Sequence, residues 1–533
     1  VALVAGLVTV AFLTGGWLKR AEPAASASDV YAQARLFEDM LAAVRAHYVD
    51  SISETELYFR ATSGTVDHLR DPYSVLLVGE AYKRFTERLH GVEDGIGLQL
   101  DLRRNLLYVV GTTPGSAAER DGLQPGDQLL TVDGVPTKGW NIEQAAAALR
   151  VRAGDTVTVA VRRPGEPDTL TYRLESGPLR VPATTVGALL DGGTGVVRLA
   201  VVSTEAAAEL RAAVDSLREL GMRSLVLDLR SNPGGVLNQG IAIADLFLDP
   251  GQRIGTLLGR TERQTTVYTD ETPQPWPDLP VAVLVDGATA SAAEIVAAAL
   301  QDHDRAIVVG MPSLGKGAVQ STIPLGRDVA VKLTTARWHA PSGRSIQRPA
   351  VGDSTPPAAP QEFRSDVGRR LRGASGIDPD VRVAPLAATR AERRYRQELG
   401  DLSAYREVVT RLAEETVADS VADGMPERAP RTVTVPLREE LYRRLEAAGL
   451  PLPADEYAGA AASVDRDLTE GLVRAAEGEM AVRRLRMERD HQLREAMRML
   501  TFVEASATWL GLPLWELPAV SSADQASTPD RTP

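Results

Sequence analysis

Apolar and polar positions divide the chain into stretches of different periodicity. Residues 1–18 are uncharged and largely apolar and end at Lys19 and Arg20. Such a run is near the lower limit of a membrane span and long for the centre of an export signal, so it predicts an export signal or signal anchor. Residues 1–27 are assigned to this segment and its small-residue linker, with Ala25-Ser-Ala27 as a cleavage point. From 28 to 85 apolar residues recur at helical spacing: Leu36, Met40, Leu41, Val44 and Tyr48, then Leu57, Phe59, Val66 and Leu69. Asp50 and Ser51 split this into two helices, and Asp71-Pro-Tyr-Ser ends it in a turn. Between 86 and 178 the runs shorten and predict strands at 95–100, 106–110, 128–133 and 156–161 with a helix at 142–149. From 179 to 384 apolar runs at 194–199, 224–229, 281–285 and 306–310 alternate with helical stretches at 205–220, 236–248 and after 291. That alternation predicts helices packed on a largely parallel sheet.

Beyond 385 the chain is charged and helical, over 392–414 and 437–447, followed by a long amphipathic stretch. Its stripe of Leu468, Leu472, Val473, Ala476, Met480, Leu493, Met497, Leu500 and Phe502 predicts a core or oligomer contact rather than a reactive site. Residues 385–520 are therefore read as a helical extension that packs on the core, pairs copies or recruits an adaptor. Residues 349–364, rich in Pro and Ala, predict a flexible insertion, and 521–533 a disordered tail.

With 533 residues, several domains are expected. The net charge of −12 argues against nucleic acid as a partner, since phosphate binding needs a concentrated basic surface. The absence of cysteine excludes disulfides and thiol catalysis, and six scattered histidines offer no ligand spacing for a metal. No cofactor is expected.

The chemistry concentrates at two points. The apolar run 281–285 leads through Asp286-Gly-Ala-Thr-Ala-Ser-Ala-Ala-Glu294 into an alanine-rich helix, which places Ser291 at a helix N-terminus. Unpaired N–H groups there favour negative charge developing on a carbonyl oxygen, a requirement of acyl transfer. A serine hydroxyl needs a base, and Lys316 follows between Gly315 and Gly317 after the run 306–310. A desolvated lysine is neutral enough to serve. Gln320 would orient the amine through its side-chain oxygen. Taken singly, Ser291 reads as an N-cap and Lys316 as a solvated turn. A serine paired with His303 or His339 is the weaker alternative, because His303 follows Asp302 at a helix end and neither histidine stands in a motif. Asp228-Leu-Arg-Ser-Asn-Pro-Gly-Gly235, between a strand and a helix, offers backbone N–H groups as an anion nest.

Together with Ala290-Ser-Ala-Ala-Glu-Ile295, Leu314-Gly-Lys-Gly-Ala-Val-Gln320 and Pro341-Ser-Gly-Arg-Ser-Ile-Gln347, that segment resembles the carboxyl-terminal processing proteases, the tail-specific serine peptidases of the S41 family. Thr289 and Ala293, where the family often has serine, and Met311-Pro-Ser-Leu are mild departures. The resemblance implies an α/β multidomain protein whose core at 179–384 has a ClpP/crotonase-like fold. It implies Ser291 as nucleophile, Lys316 as general base, Gln320 as its positioning residue, and an oxyanion hole from the backbone of Gly234 or Gly235 and of Ala292. Asp302 matches a common acid with a structural role. Residues 86–178, with Gly95-Ile-Gly-Leu98, Ala117-Ala-Glu-Arg-Asp-Gly-Leu123 and Pro125-Gly-Asp127, resemble a PDZ domain. Such a domain would bind a peptide tail by strand addition, with loop N–H groups around Gly95, Ile96, Gly97 and Leu98 holding its terminal carboxylate. The expected activity is a metal-independent serine endopeptidase of the cell envelope, acting outside the cytoplasm on proteins with apolar C-termini. A latent PDZ scaffold that needs a partner is the alternative.

Overall fold

A computed structural model describes residues 27–103, 106–140, 142–349, 362–399, 402–422, 432–450 and 452–506. They form two compact units, one running to Val78 and including Thr322–Thr334, the other comprising Gly79–Ser321 and the chain from Thr335 onward. The predicted export segment to residue 26 and the tail at 521–533 lie outside the described residues. Among those described, no helix is long and apolar enough to cross a membrane.

In the first unit, α1 (Ala27–His47) and α2 (Glu54–Asp67) form the predicted pair of helices. Ser53 caps α2, its Oγ accepting the Glu56 N–H at 3.2 Å. Residues 75–78 do not continue the helical spacing. They form β1 (Val75–Val78), antiparallel to residues 329–332 with Val75 opposite Lys332. Four apolar residues are too few for a helix, and the distant partner strand decides the outcome.

The second unit opens with α3 (Glu80–His90), which runs across the expected boundary at 85. β2 (Val92–Gly95) then pairs with β9 (Gly177–Arg180), which brackets the β-rich insertion. Within it lie β3 (Leu98–Arg103), β4 (Leu106–Thr112), α4 (Ala117–Arg120), β5 (Gln128–Val132), β6 (Val135–Pro136), α5 (Ile142–Leu149), β7 (Thr156–Arg162) and β8 (Leu170–Glu175). The strand predicted from Gly95 thus begins only at Leu98. Gly95 belongs to β2, and the chain turns at Gly97, φ +80°, where a Cβ would lie 2.1 Å from that of Ser116. The sheet order is β3-β4-β5-β7-β8, with β6 on β5, so β3 is an edge strand. Leu98, Leu100 and Leu102 turn inward onto a core with Val109, Leu129, Ala145 and Val159.

The core sheet has the order β10-β11-β12-β15-β16-β21. After β10 (Thr184–Leu190), antiparallel at the edge, come β11 (Thr194–Leu199), α6 (Ala206–Glu219), β12 (Ser224–Asp228) and α7 (Leu237–Asp245). A second sheet receives β13 (Arg253–Gly259) and β14 (Thr266–Thr269). The chain returns through β15 (Val281–Val285), α8 (Ala292–Asp302) and β16 (Ile307–Gly310), visits the second sheet as β17 (Ala318–Pro324) and β18 (Val329–His339), and forms a hairpin of β19 (Phe363–Arg364) and β20 (Arg370–Leu371). It closes with β21 (Val381–Arg382), parallel to β16. The insertion predicted to be flexible falls mostly on undescribed residues, but its last two are strand.

Alternation along the parallel strands explains the layering. Leu225, Leu227, Val281, Val283 and Val285 face α6, α7 and α8, whereas Val226, Ala282, Leu284, Ile307 and Val309 face the other way. That second face is covered by the C-terminal extension. The extension consists of α9 (Arg390–Glu398), α10 (Leu402–Ala422), α11 (Val435–Ala447), α12 (Ala454–Gly459), α13 (Ala461–Glu477), α14 (Glu479–Arg489) and α15 (His491–Ser506). Leu493, Ala496, Met499 and Leu500 of α15 pack on the sheet. The long amphipathic stretch is therefore three helices, broken at Gly478 and at Asp490, whose backbone is extended. Its members part company: Leu468 packs with Tyr395 and Tyr405, Leu472 with Val482, and Met480 is exposed.

Candidate active site

Ser291 stands in the sharp turn between β15 and α8 with φ 57° and ψ −121°. Non-glycine residues rarely hold this backbone, and a half-buried serine on such a strand-to-helix turn has the geometry of a nucleophile elbow. The loop before it is built around Asp286, whose Oδ1 accepts the N–H groups of Ser231 at 2.9 Å and of Ala288 and Thr289 at 3.0 Å. Burial pushes the Asp286 carboxyl up, but these bonds and the hydroxyls of Ser231 and Thr289 outweigh it and hold the group below its ordinary value. Thr289, one of the departures from the family pattern, donates its hydroxyl to Leu229 O at 2.8 Å.

The fully buried Glu294 joins the two halves of the site. Its Oε2 accepts the Ser291 N–H and the Lys316 N–H, both at 2.8 Å, while Oε1 accepts Gly315 N–H at 2.7 Å and the Ser313 hydroxyl. Burial pushes the Glu294 carboxyl above its ordinary value against the pull of these four donors. The backbone nitrogens of Ser291 and Lys316 thus lie within twice 2.8 Å of each other, although α8, β16 and their loops separate them in sequence. Lys316 is half-buried. Gln347 fixes the chain just beyond it, Oε1 accepting Gly317 N–H at 3.1 Å and Ala318 N–H at 2.9 Å. The Gln320 amide nitrogen donates to Ala318 O at 3.0 Å, which ties down the end of the side chain opposite to its oxygen.

The glycine loop packs directly against the serine. A Cβ on Gly234, φ +84°, would lie 2.6 Å from Ala290 O and 2.8 Å from both Ala292 N and Ser291 Cβ, so only glycine fits. The hydrogen bonds distinguish the two glycines that the sequence offers as oxyanion donor. Gly234 N–H is already committed to Asn232 Oδ1 at 2.8 Å, whereas the exposed Gly235 donates to no described residue. Ala292 N–H, the first of α8, has no acceptor within the helix.

At the far end of α8, Asp302 is buried and bonded to Arg344 Nη2 at 2.7 Å and Ser342 N–H at 3.0 Å, anchoring the loop that leads to Gln347. His303 follows, held by Asp366 at 2.8 Å and Arg253 O at 2.7 Å. A full helix, about 16 Å at 1.5 Å per residue, separates it from Ser291. His339 lies on β18 with Nδ1 buried and unpartnered. His303 is thus not brought to the serine, whereas the Trp338 N–H, beside His339, donates to Gly317 O at 2.8 Å. Among the described residues, no three acidic, His or Cys groups are arranged to hold a metal ion.

In the β-rich insertion, α5 contacts β3, an edge strand of the sheet. Ile96 and Gly97, just before β3, donate no backbone hydrogen bond to a described residue, while Ala118 N–H and Thr113 N–H donate to their carbonyl oxygens. Glu294, Asp286, Asn232 and Gln347 went unassigned in the sequence. Glu294 was detectable, since Ser-x-x-Glu is the spacing of a capping box. Gln347 carried no such signal.

The model of peptidase family S41 matches residues 193–354 and that of the PDZ domain residues 108–163. A carboxy-terminal-processing protease of Bartonella bacilliformis is 33% identical over 323 residues, covering 60% of this chain and 74% of that protein. A carboxyl-terminal-processing protease of Picosynechococcus sp. is 35% identical over 302 residues, covering 55% and 71%. The solved structure of a photosystem II D1 C-terminal processing protease is 26% identical and covers 66% of this chain and 93% of that one, with a TM-score of 0.36. Two family models fall on two adjoining modules of the chain, and relatives about a third identical are matched over more than two thirds of their own length, so the chain belongs to peptidase family S41 as a PDZ-bearing serine peptidase of the carboxy-terminal processing type.

Proposed function

We propose that this peptidase uses Ser291, Lys316 and Gln320 to cut proteins whose apolar C-terminal tails dock on its PDZ domain. The observation that carries the reading is the single Glu294 oxygen that accepts both the Ser291 and the Lys316 N–H, since it holds the two segments in fixed register. In this reading neutral Lys316 takes the Ser291 proton as the hydroxyl attacks the scissile carbonyl, and Gln320 orients the amine. The oxyanion is held by Gly235 and Ala292 N–H, the amine leaves with the proton, and water resolves the acyl-enzyme. The tail would add to the free edge of β3, its carboxylate meeting Ile96 and Gly97 N–H. The same reading places the enzyme in the envelope, on the strength of the apolar residues 1–18, with export tested by fractionating cells that express the full chain.

The test is digestion of an unfolded protein with an apolar tail, beside the same protein ending in two aspartates. Ser291→Ala is expected to reduce cleavage by at least about 10⁴-fold, and Lys316→Arg similarly, because guanidinium stays protonated. Cleavage that survives Ser291→Ala refutes the mechanism, and equal cleavage of both substrates refutes tail recognition. Cleavage that requires a tailed peptide added in trans would establish the latent alternative.

A further inference from the structure

Among the described residues, Arg230 joins the glycine loop to the C-terminal helices. Arg230 follows β12 and points its guanidinium at three residues: Asp228, with Nε at 2.9 Å and Nη2 at 2.8 Å; Asp490, 2.7 Å from Nη2; and Gln492, 2.9 Å from Nη1. Two of the three come from the junction of α14 and α15. Both are fixed before they meet Arg230. Asp490 Oδ1 caps α15 by accepting Leu493 N–H at 3.0 Å, and Gln492 Nε2 donates to Val383 O at 2.7 Å. A planar guanidinium held by carboxylates and an amide in this way has its position set, not merely its charge balanced.

From Arg230 the connection to the serine is short. Ser231, at φ +58°, gives its N–H and hydroxyl to Asp286 at 2.9 and 3.1 Å. Asn232 O accepts Ala290 N–H at 2.9 Å, and Asn232 Oδ1 holds Gly234. A cavity of about 380 Å³ opens beside the junction, lined in part by Arg198, Arg230, Asp286, Met311 and Asp490. Arg230 and Asp490 keep 20% and 26% of their side chains exposed there, so their contact can break without stranding a charge in the interior.

We propose that the α14–α15 junction is a positioning element of the hydrolytic site, in which Asp490 and Gln492 set the 230–235 loop through Arg230. This rests on the function proposed above. The C-terminal extension is thereby part of what makes the oxyanion loop competent, and it acts on turnover rather than on tail binding.

The test compares the full chain with Asp490→Ala and with the conservative Asp490→Glu, by kcat and KM on a tailed peptide and by amide hydrogen exchange. Asp490→Ala is expected to lower kcat about ten- to hundredfold with KM within about twofold, as misplacement of a reacting geometry does. Exchange should quicken at 230–235 and not along α15, and Asp490→Glu should restore both readouts. Unchanged kcat with unchanged exchange at 230–235 overturns the proposal, as does loosening of all of α15, which would make Asp490 a helix anchor only. If the parent enzyme shows no Ser291-dependent cleavage, the proposed function fails instead, and exchange at 230–235 alone decides for or against positioning.

Discussion

Gly234 and Glu294 do different work on the same serine. Gly234 brings the loop against Ser291 by having no side chain, so Gly234→Ala must displace Ala290 O or Ala292 N. A shift of this kind in the reacting geometry is expected to cost about 10²-fold in kcat with the PDZ-bound tail affinity unaffected, read by steady-state kinetics beside peptide binding. Glu294 receives two donors on each oxygen, so the amide nitrogen of Glu294→Gln would face donors whichever way it turned. Leaving buried donors without an acceptor should destabilise the protein by about 1–3 kcal/mol per group in denaturant titration, and detach Lys316 from Ser291. Stability and kcat both equal to the parent's would show that the carboxylate holds nothing together.

At the scale of elements the two modules can be tested separately. β3 is an edge strand with an apolar inner row of Leu98, Leu100 and Leu102, and the turn before it tolerates no side chain at Gly97. Gly97→Ala should therefore raise KM for a tailed substrate about tenfold while sparing kcat on a short untailed peptide, if the tail is bound there. Helix α15 is a structural layer of the peptidase core. Met499 is fully buried on the sheet, and Met499→Ala is expected to cost about 2–5 kcal/mol of stability, measured by denaturant unfolding. A loss near zero would mean that the extension is not integral to the core. The helical stripe around Leu493 and Leu500 was legible in the sequence because its period is local. That the stripe would meet Val226 and Leu284 was not, because a stripe announces only that something apolar must cover it.

One group gives the molecule a pH response apart from catalysis. Burial and the neighbouring Asp245 push the Asp270 carboxyl up to about 7 from an ordinary value of 3.8. Between those values the native state holds a proton that the unfolded chain has released, so stability falls as pH rises through this window. Asp270→Asn, which keeps an oxygen for the Thr272 N–H now at 2.9 Å, should flatten the slope and raise the melting midpoint near neutral pH. Parallel melting curves for parent and variant across that range would refute the assignment. The sequence by itself determined the local chemistry: Ser291 between a strand and a helix, Lys316 between glycines, the glycine loop at 228–235, and the alternations that make one module β-rich and the other α/β. These follow from periodicity and turn chemistry within a few residues. The tertiary structure alone decided that β1 pairs with residues 329–332, that α15 closes the sheet, that Gln347 fixes the chain beyond Lys316, and that Asp490 meets Arg230. Each of those joins residues brought together only when the whole chain buries its apolar faces, and no pattern in either partner names the other.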